Sequence, residues 1–103
     1  MQHISVSELK KMLNESAGLQ LVDVREPWEH QLFNIGGTLV PLGSLTENID
    51  KISTSKTVVF YCQKGIRSQI AIQRLEQKLQ LTNLVNLQGG MVAWQKDALS
   101  LKG

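Results

Sequence analysis

Short apolar runs alternate with amphipathic stretches along the chain, at spacings typical of strands followed by helices. The runs that predict strands cover residues 19–24, 38–42, 57–61 and 84–87. The third run is β-branched and aromatic throughout, so it should be central in a sheet, whereas Pro41 indicates an edge or irregular position for the second. Alternation of this kind predicts an α/β fold, with a parallel sheet covered by helices.

Two serine–glutamate pairs mark predicted helix starts. A serine followed by a glutamate three residues later can form a capping box, in which each side chain bonds the other residue's backbone amide. Helices of this kind are predicted from Ser5, with Glu8, to about Asn14, and from Ser44, with Glu47, to near residue 52.

Three further helices are predicted from proline, glycine and periodicity. Pro27 suits the first turn of a short helix that reaches about Phe33 and is broken by Gly36-Gly37. A last helix containing Trp94 follows the Gly89-Gly90 pair. Between them, apolar positions recur at helical spacing at Ile70, Ala71, Leu75 and Leu79.

The composition fits one ordinary domain covering residues 1–103, with 42% hydrophobic and 19% charged residues. A net charge of +2 without a long basic run gives no support to nucleic-acid binding. The first twenty residues lack the apolar core of a signal peptide, so a cytoplasmic location without membrane contact is expected. The spacing of Cys62, His3 and His30 fits no zinc site, and no metal or cofactor is predicted.

The only cysteine, Cys62, lies between the predicted central strand and a helix, where ligands bind in open α/β sheets. The next residues can curl so that their N–H groups form an anion-binding nest, with Gly65 at the bend and Ser68 capping the helix. A helix N-terminus and nearby cations lower cysteine pKa values, which predicts a nucleophile. The alternative is a small buried side chain without chemistry.

Three ordered segments resemble the rhodanese family of sulfurtransferases. They are LVDVREP at 21–27 with Glu29, VVFYCQKGIRS at 58–68, and LQGGM at 87–91 with Ala93-Trp94. The resemblance implies a five-stranded parallel sheet flanked by helices on both faces. It also implies that Cys62 accepts a sulfane sulfur from a donor such as thiosulfate and yields it, from a persulfide, to a thiophilic acceptor.

The same resemblance assigns roles to individual residues. Cys62 would be the catalytic sulfur carrier. From the residues themselves, Lys64 and Arg67 are either solvated loop cations or cations that attract a small anionic sulfur donor. Asp23 and Arg25 would support the site, although an ion pair between loops explains them equally well. Gly89, Gly90 and Trp94 are predicted to be structural. The complete substrate-binding loop would be Gln63, Lys64, Gly65, Ile66 and Arg67, with Ser68 as a further supporting residue.

The segment at 33–38, FNIGGT, departs from the common family pattern Gly-His-Ile-Pro-Gly-Ala. Together with Pro41-Leu42 it is similar to rhodanese domains appended to adenylating enzymes that load sulfur-carrier proteins. This similarity implies that the partner is a sulfur-carrier protein or its adenylating enzyme. It leaves open whether the chain is a domain of a longer protein.

Three other functions compete with sulfur transfer. A cysteine phosphatase of related fold has its arginine six positions after the cysteine, but here Arg67 stands at the fifth and Ser68 at the sixth. Tyr61 also replaces the histidine that usually precedes a phosphatase cysteine. A non-catalytic docking module stays open, although Cys62 is retained. Thiol–disulfide exchange is disfavoured because the chain has no second cysteine.

Overall fold

A parallel β-sheet with helices on both faces forms the framework of the protein. The computed structural model describes residues 1–15 and 18–100, which contain five strands in the order β1-β5-β4-β2-β3. The strands are β1 (Gln2–Ile4), β2 (Gln20–Asp23), β3 (Thr38–Leu39), β4 (Val58–Tyr61) and β5 (Leu84–Leu87). The helices are α1 (Val6–Asn14), α2 (Pro27–Leu32), α3 (Arg67–Leu79) and α4 (Gly90–Ser100). The predicted fold class is confirmed.

The strand β4 is central, as its sequence predicts, and all four of its residues are buried. Alternate side chains enter two apolar cores, one on each face of the sheet. Phe60 packs in the core beneath α3, and Tyr61 packs in the core beneath α1 and α4. Trp94 is half-buried at the margin of the second core, where Lys10 Nζ lies 4.7 Å from its ring centroid.

The two edge strands differ from the sequence predictions. The apolar pattern did not predict β1, because Gln2 and His3 are polar and exposed and only Ile4 packs against a core. A two-residue strand, β3, replaces the predicted strand at 38–42. Its edge position, indicated by Pro41, is confirmed. Edge strands face solvent, so their sequences carry a weak apolar pattern.

The two predicted capping boxes have different outcomes. Ser5 Oγ accepts the Glu8 N–H at 3.1 Å and the Ser5 N–H donates to the Glu8 carboxylate at 3.1 Å, so the first box is confirmed. The second is wrong. Ser44 lies in a 3-10 turn because its N–H is already bonded to the Pro41 carbonyl at 2.8 Å. The region forms two 3-10 segments, Leu42–Ser44 and Thr46–Lys51, and Ile52 follows as the C-cap residue, so the predicted end near residue 52 is confirmed.

The helices are short relative to a bilayer. No helix within residues 1–15 and 18–100 combines the length and apolar character needed to cross a membrane. Pro27 begins α2, as predicted, and α2 ends at Leu32. This helix lies directly after the carboxyl end of β2, beside the end of the central strand, and therefore contributes side chains to the cysteine loop.

Candidate active site

The cysteine loop, defined here as residues 62–67, follows the carboxyl end of β4 and leads into α3. Cys62 is 1% exposed, and its Sγ accepts the backbone N–H of Gly65 at 3.1 Å and that of Ser68 at 3.4 Å. The second donor belongs to the first turn of α3, where the helix dipole is positive. Two amide donors directed at one sulfur stabilise negative charge on that atom.

The curl of the loop depends on Gly65. This residue has φ of +90°, which L side chains rarely adopt. A Cβ atom at Gly65 would lie 3.1 Å from the Gly89 nitrogen and 3.4 Å from the Leu87 carbonyl oxygen. The position therefore requires glycine for its backbone conformation and for its close approach to the turn after β5.

The N-terminus of α4 holds the cysteine loop through two backbone hydrogen bonds. The N–H of Met91 donates to the Cys62 carbonyl at 2.9 Å, and the N–H of Val92 donates to the Gln63 carbonyl at 3.0 Å. Gly90 permits this approach because a Cβ there would overlap the Cys62 carbonyl oxygen. The first amides of α4 thereby fix the backbone position of Cys62 and Gln63.

Ser68 does not cap α3, contrary to the sequence prediction. The helix begins at Arg67, its N-cap residue is Ile66, and Ser68 lies within the first turn. The Ser68 hydroxyl instead donates to the buried Asn86 side chain at 2.5 Å and lies 3.5 Å from Cys62 Sγ. A buried carboxamide needs hydrogen-bond partners. The Ser68 hydroxyl therefore binds Asn86 on β5 and does not cap the N-terminus of α3.

Arg67 forms a bidentate ion pair with Glu29 of α2. The two N–O distances are 2.7 and 2.9 Å, and the Glu29 side chain is 12% exposed. The hydrogen bonds from Arg67 lower the pKa of Glu29 to about 2, and the same bonds raise the pKa of Arg67. The arginine thus adds positive charge near Cys62 while its guanidinium is held by a carboxylate.

The Glu29 ion pair should make the protein acid-sensitive. A carboxyl whose folded pKa lies near 2, below its usual 4.5, stabilises the fold above pH 4.5 and loses that contribution as the pH falls towards 2. We expect Glu29→Gln to reduce the free energy of unfolding by about 1 kcal/mol at pH 7, and the difference from wild type to disappear by about pH 2.

Urea denaturation across this pH range measures the effect of Glu29→Gln. Glu47→Gln, at an exposed position of a 3-10 segment, is the matched control and should show a smaller pH-dependent difference. A constant difference between Glu29→Gln and wild type from pH 7 to pH 2 would contradict the prediction.

Asp23 and Arg25 form a buried ion pair beside the loop. Arg25 donates to both Asp23 carboxylate oxygens, at 3.0 and 2.8 Å, and His30 Nδ1 lies 2.9 Å from Asp23 Oδ2. Burial raises the pKa of Asp23, but hydrogen bonds with Arg25 and His30 outweigh burial and hold it below its usual value. Arg25 also donates to the Phe33 carbonyl at 2.6 Å and to Gln63 Oε1 at 3.3 Å. The pair therefore joins β2, the end of α2 and the cysteine loop.

The remaining loop side chains differ in their exposure. Gln63 is half-buried against Arg25, whereas Lys64 is exposed and Ile66 is 63% exposed. A cleft of about 370 Å³ runs beside the loop. It is lined by Arg25, Trp28, Glu29, Leu32, Phe33, Gln63 and Gln95.

Two residues that contact the cysteine loop or Ser68 were given no role from the sequence. Glu29 belongs to the first family segment, but its pairing with Arg67, 38 positions away, depends on the tertiary structure. Asn86 could have been singled out from the sequence, because it is the only polar residue in the strand Leu84–Leu87. A polar side chain in a fully buried strand indicates a specific hydrogen-bond partner.

Comparison with known proteins places this geometry in a family. Residues 5–97 match the rhodanese-like domain family. The chain is 36% identical over 96 residues to the probable adenylyltransferase/sulfurtransferase MoeZ of Mycobacterium tuberculosis, with 90% of this chain but 24% of MoeZ covered. It is 30% identical over 100 residues to the putative sulfurtransferase YtwF of Bacillus subtilis, with 91% of this chain and 90% of YtwF covered.

Solved structures agree. The rhodanese-like domain protein from Staphylococcus aureus superimposes with a TM-score of 0.84 at 33% sequence identity, and 91% of each chain is covered. Relatives named as sulfurtransferases support sulfur transfer in general. The matched segment, the five-stranded sheet and the cysteine loop together show that the chain belongs to the rhodanese-like domain family.

Proposed function

We propose that the protein is a sulfurtransferase that carries a sulfane sulfur on Cys62 as a persulfide. The observation that carries the proposal is the pair of backbone N–H groups, of Gly65 and Ser68, that converge on Cys62 Sγ at 3.1 and 3.4 Å. This arrangement stabilises a thiolate, which is the nucleophilic form of cysteine.

The proposed reaction has two steps, with thiosulfate as donor. The Cys62 thiolate attacks the outer sulfur of thiosulfate, an S–S bond to Cys62 forms, and sulfite leaves with the electron pair of the broken S–S bond. A nucleophilic acceptor such as cyanide then attacks the outer sulfur of the persulfide. Thiocyanate forms and the Cys62 thiolate returns, so atoms and charge balance over the cycle.

The geometry favours sulfur transfer over phosphate hydrolysis. Only four residues separate Cys62 from Arg67, and the Arg67 guanidinium is bonded to Glu29 on α2. A phosphatase loop needs an arginine whose two donors bind phosphate oxygens. The shorter loop, with its donors directed at the sulfur, suits a single transferred atom better than a tetrahedral anion.

Intact-mass spectrometry tests the proposal. Protein treated with thiosulfate and desalted should gain one sulfur atom, about 32 Da, and should lose it to cyanide with release of one equivalent of thiocyanate. Cys62→Ser, which changes one atom of the buried side chain, should show no mass increase. An unmodified wild-type mass would favour a docking module, and hydrolysis of a phosphotyrosine mimic would favour the phosphatase alternative.

Lys64 is proposed to attract the donor. It is exposed on the rim of the loop, where its charge can bind an anion without contacting the sulfur. We expect Lys64→Ala to raise the thiosulfate KM about two- to fivefold with little change in kcat, because one exposed charge contributes binding and not transition-state stabilisation. Initial rates of thiocyanate formation at low ionic strength measure this effect.

Lys56→Ala is the control for the Lys64 prediction. Lys56 is also exposed but precedes β4, so it lies at the opposite end of the central strand from the cysteine loop. Its replacement should leave the thiosulfate KM unchanged. Equal KM values for Lys64→Ala and Lys56→Ala would remove Lys64 from donor binding.

The proposed physiological acceptor is a sulfur-carrier protein or the enzyme that adenylates it. The similarity to MoeZ, which is named as both an adenylyltransferase and a sulfurtransferase, supports this proposal. The cleft beside the loop also exposes Trp28 and Leu32, which are 63% and 78% exposed and suit contact with a protein. The transfer is measured with a purified carrier protein whose C-terminus is adenylated, in place of cyanide. The outer persulfide sulfur attacks the acyl-adenylate and displaces AMP, and an added thiol then reduces the S–S bond to Cys62, so that Cys62 loses the increment of about 32 Da and the carrier is released as a thiocarboxylate.

A further inference from the structure

A row of polar side chains crosses the sheet from Cys62 to the edge strand β1. Cys62 Sγ lies 3.5 Å from Ser68 Oγ, which donates to Asn86 Oδ1 at 2.5 Å. Asn86 Nδ2 lies 3.2 Å from His3 Nδ1. His3 and Asn86 are register partners in the parallel pair of β1 and β5. Four side chains, from the cysteine loop, α3, β5 and β1, thus form one hydrogen-bonded row.

The row is buried at the sulfur and exposed at the histidine. Ser68 is fully buried and Asn86 is 1% exposed, whereas His3 faces solvent. Neither inner side chain can exchange its partner for water without opening the sheet. The donor and acceptor roles of the inner members are therefore set by their neighbours in the row.

The hydrogen bonds of the row can run in either of two directions, each of which gives every donor an acceptor. The Ser68 hydroxyl has one proton, and the Asn86 carboxamide donates through nitrogen and accepts through oxygen. In one direction the cysteine S–H donates to Ser68, Ser68 donates to Asn86, and Asn86 donates to His3. In the reverse direction His3 Nδ1–H donates to Asn86, the turned carboxamide donates to Ser68, and Ser68 donates to the sulfur.

The reverse direction suits a thiolate, because only then does the Ser68 hydroxyl present a proton to the negative sulfur. In the first direction a thiolate would face an oxygen lone pair. The hydrogen bonds can change direction only if the side chain at the surface end of the row, next to Asn86, can both accept and donate a hydrogen bond. The histidine at the surface end meets this requirement through its two neutral tautomers.

We propose that Asn86 and His3 are positioning residues that allow the Ser68 hydroxyl to turn its proton towards Cys62 when the thiolate forms. The inference rests on the proposed function, in which that thiolate is the sulfur carrier. The reversal itself leaves the number of protons unchanged, because His3 takes a proton from solvent at Nδ1 and releases one to solvent from Nε2. The only net loss is the Cys62 proton, which leaves to solvent when the thiolate forms.

The test uses His3→Asp and His3→Asn. Both place an atom where Nδ1 stands, but the carboxylate accepts only, while the carboxamide can also donate. The readout is the midpoint of the pH profile for alkylation of Cys62, the only cysteine, by iodoacetamide. We expect His3→Asp to move the midpoint up by about one pH unit, or about tenfold slower alkylation at a pH below it. His3→Asn should stay within about 0.3 units of wild type.

A control variant separates the effect of hydrogen-bond direction from the electrostatic effect of the added negative charge. Gln2→Asp adds the same charge one residue away, on the opposite face of β1. It should shift the midpoint by less than about 0.3 units, and by nothing measurable in 1 M salt, where screening acts within about 3 Å. Arg67, which interacts electrostatically with Cys62, and its partner Glu29 are the same in every variant.

The double variant Ser68→Ala with His3→Asp decides whether the effect passes through the row. Without the hydroxyl, His3→Asp should no longer shift the midpoint. Equal shifts with and without Ser68, or equal shifts for His3→Asp and Gln2→Asp, would overturn the inference. Alkylation reports thiolate formation whether or not sulfur is transferred. A protein that shows the shift but forms no persulfide would therefore refute the proposed function and leave the inference standing.

Discussion

Gly90→Ala should lower the free energy of unfolding by about 3 kcal/mol or more and remove most of the sulfur-transfer activity. Gly90 has φ of +55°, a left-handed conformation that strains an alanine. The added Cβ would overlap the Cys62 carbonyl oxygen and lie 2.8 Å from the Gln63 carbonyl oxygen. Both contacts involve backbone atoms, which cannot rotate away as the end of a side chain can.

The loss of activity follows from what these carbonyls do. They accept the N–H groups of Met91 and Val92, so separating α4 from the loop breaks both hydrogen bonds. The backbone that curls around the sulfur then loses its support. A displacement of about 1 Å in a positioned nucleophile can cost about a hundredfold in rate.

Two glycines supply controls for Gly90→Ala. Gly18 also has a positive φ, of +61°, but a Cβ there meets no atom within 4 Å, so Gly18→Ala reports strain alone, at about 1 kcal/mol. Gly43→Ala has neither strain nor contact and should change stability by less than about 0.5 kcal/mol. Urea denaturation and thiocyanate formation measure the three variants. If Gly90→Ala and Gly18→Ala lowered the free energy of unfolding equally, the contact between the added Cβ and the Cys62 carbonyl would have no effect on stability, contrary to the prediction.

The loop could be located from the sequence because its signals are local. The central strand, Cys62, Gly65 and the following helix are consecutive, and each has a strong preference for its conformation. Asp23 and Arg25 are two residues apart, so their pairing was also a reasonable expectation. Residues that are near each other in the sequence can adopt few relative positions, so a local sequence pattern predicts their local conformation well.

The contacts that tune the loop could not be located in this way. The partners Arg67 and Glu29 are 38 residues apart, and Asn86 and His3 are 83 residues apart. Their meeting depends on which strand neighbours which, and β1 itself has too few apolar residues to be predicted. The Ser68 prediction was wrong for the same reason, since helix-capping preference was overridden by a distant buried carboxamide.

Arg25→Leu should lower the free energy of unfolding by about 3–5 kcal/mol at pH 7. The Arg25 side chain is 3% exposed and that of Asp23 is fully buried, so the substitution leaves a buried carboxylate with His30 Nδ1, 2.9 Å away, as its remaining side-chain partner. The loss should diminish at acidic pH, because protonation removes the uncompensated charge from Asp23. Urea denaturation from pH 7 to pH 4 measures both effects.

Two further variants separate the ion pair from a direct role in sulfur transfer. Arg74→Leu removes an exposed arginine of α3 and should change stability by less than about 0.5 kcal/mol. Adding Asp23→Leu to Arg25→Leu should restore part of the lost stability, because a buried pair replaced by apolar side chains is often neutral. Arg25 contacts the cysteine loop through Gln63 Oε1 at 3.3 Å, so a purely structural role predicts that turnover recovers with the fold in the double variant. Recovery of stability without recovery of turnover would instead show that the Asp23–Arg25 pair affects sulfur transfer beyond its contribution to stability.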